Sequence, residues 1–202
     1  FSQNIDANEF FLYGEDNTGN IYKLPNSLHF RNQVGSNNCE LVTADGGFDF
    51  SIDFNKQEQL SYQLIFCEIV SALSVQKIGG SFVCKFFDTY SLLTIKFLWL
   101  LNICYKSVIF TKPLTSRSAN SEKYIIAYQF RGIDEYYLQQ LYLMVEKWNH
   151  VEPNSYVTDI FNYPIPKDYL NIIRYYNNYM ILGQTYKIIK TQSKNSIGTV
   201  TI

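Results

Sequence analysis

The sequence is short of the residues that build metal sites and nucleotide-binding loops. It has two histidines, and its four cysteines, at positions 39, 67, 84 and 104, form no Cys-x-x-Cys pair. Structural zinc sites use four such ligands at close spacing, so we expect no metal site here. No glycine-rich phosphate loop occurs in the 202 residues, which argues against nucleotide binding of that kind by this segment.

Charged residues and long apolar runs are also scarce. Charged side chains make up 17% of the sequence and hydrophobic ones 47%, which is typical of a globular protein. The strongly apolar segment Leu92–Cys104 contains Lys96 and is shorter than the roughly 20 residues that a membrane span needs. We therefore expect a buried helix there and no membrane partner.

The cysteines indicate a cellular environment. They are scattered, and three of them lie inside apolar runs, as buried free thiols do in a reducing compartment. No secretory signal is recognisable. We expect an intracellular protein, with nucleus and cytoplasm both left open.

The charge is unevenly distributed although the net charge is only −1. Between residues 85 and 123 there are six basic and two acidic residues, and the sequence is rich in aromatics, with 17 Tyr and 15 Phe. A basic face in this region would favour an anionic partner such as RNA.

Helical and strand patterns alternate along the chain, which predicts an α/β fold. The predicted helices cover 25–34, 57–77, 91–105, 133–148 and 167–190, and the predicted strands 40–44, 81–87, 107–111 and 123–130, with a final strand or tail over 196–202. Gly79-Gly80 is expected to end the second helix. Too few residues separate the last two main strands for a crossover helix, so they should be antiparallel.

One lysine interrupts the most apolar strand. Lys85 lies within Gly80–Phe87, where both faces are expected to be covered. Burial of an ammonium costs several kcal/mol unless a partner neutralises it, and Asp45 and Glu122 each lie near the end of another predicted strand. The residues alone leave open whether this is a structural ion pair or a reactive site.

Three segments around these residues resemble successive motifs of one family. They are Ala44-Asp45-Gly46-Gly47-Phe48, Gly80-Ser81-Phe82-Val83-Cys84-Lys85-Phe86-Phe87-Asp88 and the segment from Lys112 to Tyr124. In order and spacing they look like motifs of the FtsJ-like RNA ribose 2′-O-methyltransferases, most similar to those that form cap 1 on messenger RNA. The resemblance implies a Rossmann-like methyltransferase fold, with a mostly parallel sheet, one antiparallel strand near its end, and helices on both faces.

The resemblance also implies an active site and a cofactor. The family uses a Lys-Asp-Lys-Glu tetrad and S-adenosylmethionine, and the matched motifs assign Asp45, Lys85 and Glu122 to the last three tetrad positions. Lys85 would contact the ribose 2′-hydroxyl and take its proton, and Asp45 would lie closest to the transferred methyl group. The first tetrad lysine and the glycine-rich cofactor loop are expected upstream of Phe1. Without that second ammonium the two carboxylates favour the charged form of Lys85, so we expect this segment alone to be inactive.

Two further assignments follow from the same resemblance. Thr18-Gly19-Asn20-Ile21 is similar to the element whose acid meets the adenine amino group, and Asn20 replaces that acid with an amide oxygen that still accepts a hydrogen bond. The loop containing Ser116 and Arg117 is similar to the RNA-facing segment, where Arg117 and Lys112 would meet phosphates.

The predicted domain organisation is a partial methyltransferase core over residues 1–132 and a helical extension over 133–202, packed on the same domain. The predicted substrate is capped RNA, with partners in the transcription or capping machinery. Two alternatives stay open: a ribosomal- or transfer-RNA 2′-O-methyltransferase, and a non-catalytic RNA-binding or subunit-interface module that kept the fold.

Overall fold

A computed structural model describes residues 12–47, 56–117, 120–152 and 155–196. In chain order the elements are α1 (Leu24–Val34), β1 (Cys39–Ala44), α2 (Gln57–Leu60), α3 (Tyr62–Val75), β2 (Gln76–Phe86), α4 (Leu92–Cys104), β3 (Tyr105–Thr111), β4 (Lys123–Phe130), α5 (Glu135–Trp148) and α6 (Lys167–Ser196). The α/β prediction is confirmed. Phe48 of the first motif and the predicted tail beyond Ser196 lie outside the described residues.

The four strands form one mixed sheet in the order β1-β2-β4-β3. β1 and β2 are parallel, whereas β4 is antiparallel to both of its neighbours. β3 therefore runs in the direction of β1 and β2, and β4 is the reversed strand that was predicted near the end of the sheet. The carboxyl ends of β1, β2 and β3 lie on one rim, where ligands bind in open sheets of this kind.

The main helices cover one face of the sheet. The β1–α3–β2 and β2–α4–β3 crossovers move along the sheet in the same direction, so their right-handedness puts both helices on the same side. There the rings of Phe66 and Phe97 pack with centroids 5.8 Å apart. The core-facing side chains of β2 are completely buried: Phe82, Cys84 and Phe86.

The other face of the sheet is more open. Val83 and Ile126 are half-buried there, and three apolar side chains are exposed, namely Leu41 at 60%, Ile109 at 48% and Tyr128 at 47%. The helix contacts recorded among the described residues fall on the first face. We predicted helices on both faces of the sheet and a β2 strand that is covered on both sides. Among the described residues, helices cover one face.

The predicted helix over 57–77 differs from the observed one. It is divided at Ser61 into α2 and α3, and it ends at Val75 rather than at Gly79-Gly80. β2 begins at once with Gln76, and the β1–β2 register shifts immediately afterwards. Gly79 has φ +82° within this irregular part of β2, a backbone conformation that suits glycine. The glycines therefore shape a bulge rather than a helix end.

The two last helices both reach the core. α5 contributes Leu138, Leu141, Tyr142 and Val145 to it, and α6 contributes Ile173. α6 is 30 residues long, and between residues 181 and 193 its side chains are exposed to solvent except that of Gln184, which is half-buried. Within the ranges that the structure describes, no helix is both long and apolar enough to cross a membrane.

Candidate active site

Two of the predicted site residues meet at the carboxyl rim of the sheet. Asp45 follows β1, Lys85 lies near the end of β2, and the two strands are parallel neighbours. Lys85 Nζ lies 3.0 Å from Asp45 Oδ1 and donates a second hydrogen bond, also of 3.0 Å, to the Asp45 carbonyl oxygen. The Lys85 side chain is 13% exposed and that of Asp45 is 67% exposed. The Lys85 side chain is thus largely buried, whereas the Asp45 carboxylate faces solvent.

Tyr124 completes this group, although its role is not evident from the sequence. It is the cross-strand partner of Lys85 in the antiparallel β2–β4 pair, and its hydroxyl donates to Asp45 Oδ1 at 2.8 Å. Lys85 and Tyr124 together lower the pKa of Asp45. Burial, followed by the Asp45 carboxylate, raises the pKa of Tyr124 to about 12. Asp45 is therefore ionised and oriented at neutral pH.

A buried glutamate supports the loop that carries Asp45. Glu68 of α3 is 9% exposed; its Oε1 accepts the Gly46 N–H at 3.0 Å, and its Oε2 accepts the Cys84 thiol at 3.5 Å. A Cβ atom on Gly46 would lie 2.5 Å from Glu68 Oε1 and 2.8 Å from Leu64 Cδ2, so a larger residue there would displace these side chains. Burial raises the pKa of Glu68. Its place in an apolar helix stripe was the one sequence signal for this role.

Glu122, the third predicted tetrad residue, is held by the loop between β3 and β4. Its Oε1 accepts the Ser116 hydroxyl at 2.7 Å. Lys85 forms its recorded ion pair with Asp45. The negative charge of Glu122 acts on the neighbouring Tyr124, whose pKa it helps to raise. The structure therefore brings Glu122 to the same rim without a direct Lys85 contact.

The predicted phosphate-binding residues of this loop divide into two kinds. The Lys112 ammonium points into the loop and donates to Asn120 Oδ1 at 2.6 Å and to the Glu122 carbonyl at 2.6 Å. Lys112 therefore closes the loop, and its burial lowers its pKa. Ser116 is used by Glu122, whereas Arg117 is exposed at the loop surface and presents its charge outward.

Asn20 lies in a polar turn before α1. Its Oδ1, the atom expected to meet adenine, accepts the Tyr22 backbone N–H at 2.9 Å. The turn is organised by Asp16, which accepts from the Thr18 hydroxyl at 2.7 Å and from Lys23 Nζ at 2.6 Å. Within the structure, the Asn20 oxygen thus caps its own turn.

The rim presents an exposed carboxylate to a ligand that binds there. In the described part of the chain, no three His, Cys, Asp or Glu side chains are grouped to hold a metal ion. The Asp45 carboxylate is ionised, and its side chain is 67% exposed. A carboxylate in this position fits a positively charged sulfonium.

Comparison with known proteins gives one consistent family. The protein-family model described as FtsJ-like methyltransferase matches residues 3–130 of this chain. The chain is similar to proteins named Cap-specific mRNA (nucleoside-2'-O-)-methyltransferase 1. The mouse (Mus musculus) protein is 42% identical over 131 residues, which cover 61% of this chain and 16% of that protein. The Xenopus laevis protein is 33% identical over 177 residues, or 84% of this chain and 20% of the relative. The chain thus spans about a fifth of the length of these relatives.

Proposed function

The chain belongs to the FtsJ-like methyltransferase family, and on this premise we propose that it methylates the ribose 2′-hydroxyl of the first transcribed nucleotide of capped mRNA. The observation that carries the proposal is the Lys85–Asp45–Tyr124 group at the carboxyl rim of β1 and β2. The names of the similar proteins support the choice of capped RNA.

The chemistry assigned to Lys85 follows from the reaction. An alcohol is a weak nucleophile, so its proton must leave during or soon after attack, and its oxygen must be held in line with the methyl group. Lys85 Nζ is proposed to hold the 2′-oxygen and to accept that proton. Asp45 orients Nζ through two hydrogen bonds of 3.0 Å, and Tyr124 holds the Asp45 carboxylate in place.

We propose S-adenosylmethionine as the methyl donor. When bound, it supplies an electrophilic methyl group on a sulfonium. Asp45 would face that positive charge from the loop that Glu68 supports. The Asn20 turn would contact the adenosyl end.

The same geometry supports the proposal that this chain alone is a poor catalyst. Lys85 is paired with Asp45, and the family adds a second lysine, the first of its tetrad, to this group. None of the matched motifs contains that residue. Activity is therefore proposed for the full-length protein that carries this chain.

The test is methyl transfer from labelled S-adenosylmethionine by the full-length protein. The substrates are matched RNAs with and without a methylguanosine cap, and the variants are Lys85→Ala and Lys85→Arg. Lys85→Arg keeps the positive charge but cannot give up its proton. We expect cap-dependent transfer that both variants slow by at least about 100-fold.

Other outcomes would redirect the proposal. Transfer to uncapped structured RNA would favour a ribosomal- or transfer-RNA enzyme. Retained RNA binding without methyl transfer would favour the non-catalytic module. The observation in favour of that alternative is that Glu122 does not contact Lys85 directly.

A further inference from the structure

α6 has one face anchored to the domain. Ile173 is 1% exposed, and the Asn177 side chain donates to the Thr89 carbonyl at 2.8 Å. A third anchor is Gln184, whose side chain donates to the Asn120 carbonyl at 2.9 Å. These contacts fix the position of the helix on the domain.

The opposite face of α6 carries a line of large apolar side chains separated alternately by three and four residues. We name this line the α6 seam, and every member is more than half exposed: Ile172 (61%), Tyr175 (77%), Tyr179 (67%), Leu182 (71%), Tyr186 (62%) and Ile189 (59%). It runs for about 26 Å along the helix. Such a repeat is typical of a helix that packs lengthwise against another helix, and an exposed apolar surface of this extent marks an interaction site.

A glycine beside the centre of the seam points to a close partner. Gly183 follows Leu182, and a Cβ added to Gly183 would meet no atom within 4 Å. Glycine inside a helix costs about 1 kcal/mol relative to alanine, and nothing in the described structure uses the space. The absence of a side chain at this flank lets the backbone of another helix approach closely.

The charge of α6 selects the kind of partner. No acidic residue occurs between 169 and 196, whereas Arg174, Lys187 and Lys190 are exposed. A second copy of this chain would bring two positively charged helices together, which is unfavourable. RNA would match the charge, but Leu182 and Ile189 offer neither an aromatic face for stacking nor a hydrogen-bonding group.

We propose that the α6 seam binds an amphipathic helix that has an apolar stripe and acidic flanks. The apolar stripe would pack on the seam, its backbone would approach at Gly183, and its carboxylates would face Lys190 and Arg174. This inference does not depend on the methyltransferase proposal.

The experiment uses the full-length protein and a synthetic peptide as long as the seam, with Leu at the seam-facing positions and Glu on both flanks. A matched peptide carries Lys in place of Glu. We expect the Glu peptide to bind at least tenfold more tightly than the Lys peptide. Gly183→Leu should weaken that binding at least tenfold without lowering the thermal midpoint of the free protein, because the added side chain points into open space.

Neighbouring isoleucines provide the matched control. Ile189 lies in the seam, whereas Ile188 is 44% exposed on another side of the helix. Ile189→Asp should abolish peptide binding and Ile188→Asp should leave it unchanged. No binding of the Glu peptide, or equal losses in the two variants, would overturn the proposal. The proposal would also be overturned if the parent protein self-associates and Ile189→Asp makes it monomeric. The same holds if Ile189→Asp lowers the affinity for RNA and leaves peptide binding unchanged.

Discussion

Two lysine–aspartate pairs in this domain have similar burial but different surroundings. Lys85, at the rim, is 13% exposed and pairs with an Asp45 that is 67% exposed. Lys96, in the helical layer, is 6% exposed and pairs with an Asp159 that is 48% exposed. Burial and pairing alone would put both into the same class.

The other contacts of each ammonium separate the two pairs. Lys96 Nζ also donates to the Phe161 carbonyl at 2.6 Å and lies 5.0 Å from the centroid of the Phe161 ring. It therefore fastens a distant segment to α4. Lys85 makes both of its recorded bonds to Asp45, beside Gly47, where an added Cβ would lie only 3.3 Å from Nζ. The Lys96–Asp159 pair joins two parts of the chain, whereas the Lys85–Asp45 pair belongs to a group of polar side chains at the rim of the sheet.

The largest expected effect is on methyl transfer at Lys85. In the full-length protein, Lys85→Ala should reduce the rate by about 10²–10⁴-fold, the usual contribution of a general acid or base. Its stability should fall by less than about 1 kcal/mol, because the remaining Asp45 carboxylate is hydrated. Lys96→Met should show the reverse pattern, with a normal rate per folded molecule. The measurement is transfer rate together with urea unfolding, and equal rates in the two variants would remove the distinction.

The second effect is on stability at the Lys96–Asp159 pair. Asp159→Ala leaves the Lys96 ammonium buried without its carboxylate and should reduce the free energy of unfolding by about 3 kcal/mol. Lys96→Met leaves Asp159 half exposed to water and should reduce it by about 1–2 kcal/mol, mainly through the lost bond to the Phe161 carbonyl. Urea midpoints measure both variants. The opposite ranking would show that the ammonium is hydrated in the folded state.

The comparison also shows what the sequence could predict. Apolar periodicity predicted β4 at its observed bounds of Lys123–Phe130. It also predicted Asp45 at the end of one strand and Lys85 within another, and the structure shows that these two strands are parallel neighbours. Tyr124 could not be found in the same way, because its approach to Asp45 depends on the β2–β4 register. The role of Glu68 could not be predicted for a related reason. It depends on how α3 packs against the loop after β1, which brings the Glu68 carboxylate to the Gly46 N–H.

Several residues have partners in the structure that their positions in the sequence do not indicate. Lys112 and Asn20 stay predicted ligand-binding residues, and in the structure the Lys112 ammonium donates to Asn120 Oδ1 and the Glu122 carbonyl, while the Asn20 amide oxygen accepts the Tyr22 N–H. Gly79-Gly80 was read as a helix end, although the chain uses it in a bulge of β2. Local chemistry offered each residue several partners, and tertiary packing selected among them.

The third prediction concerns the support of the rim pair. Glu68→Ala removes the acceptor of the Gly46 N–H and should lower methyl transfer by about tenfold, which is about 1.4 kcal/mol of lost positioning. Glu68→Gln keeps a carbonyl oxygen in the same place and should restore most of the rate. The split between kcat and KM for RNA checks the role, since a positioning residue should lower kcat. A rate unaffected by Glu68→Ala would show that the Asp45 loop holds its shape unaided.

The fourth prediction is the pH dependence that Glu68 introduces. Burial raises its pKa in the folded protein above the ordinary 4.5, so between these two values the folded state binds more protons than the unfolded state. Stability from this group is therefore lost as the pH rises through that window. The free energy of unfolding of Glu68→Gln relative to the parent should increase with pH above about 4.5 and then level off. Asp45, whose pKa is lowered, is present in both proteins and cancels.

The smallest effect is expected at a third ion pair, which tests whether distance alone matters. Lys77 Nζ lies 2.7 Å from Glu40 Oε1, closer than Lys85 lies to Asp45, but the side chains are 49% and 79% exposed. Water competes for both charges and salt screens them, so Lys77→Gln should leave the urea midpoint within experimental error at physiological salt. A clear loss that disappears at high salt would show that this exposed pair stabilises the bulge of β2. If the midpoint is unchanged, the effects at Lys85 and Lys96 follow from burial and neighbouring groups rather than from the N–O distance.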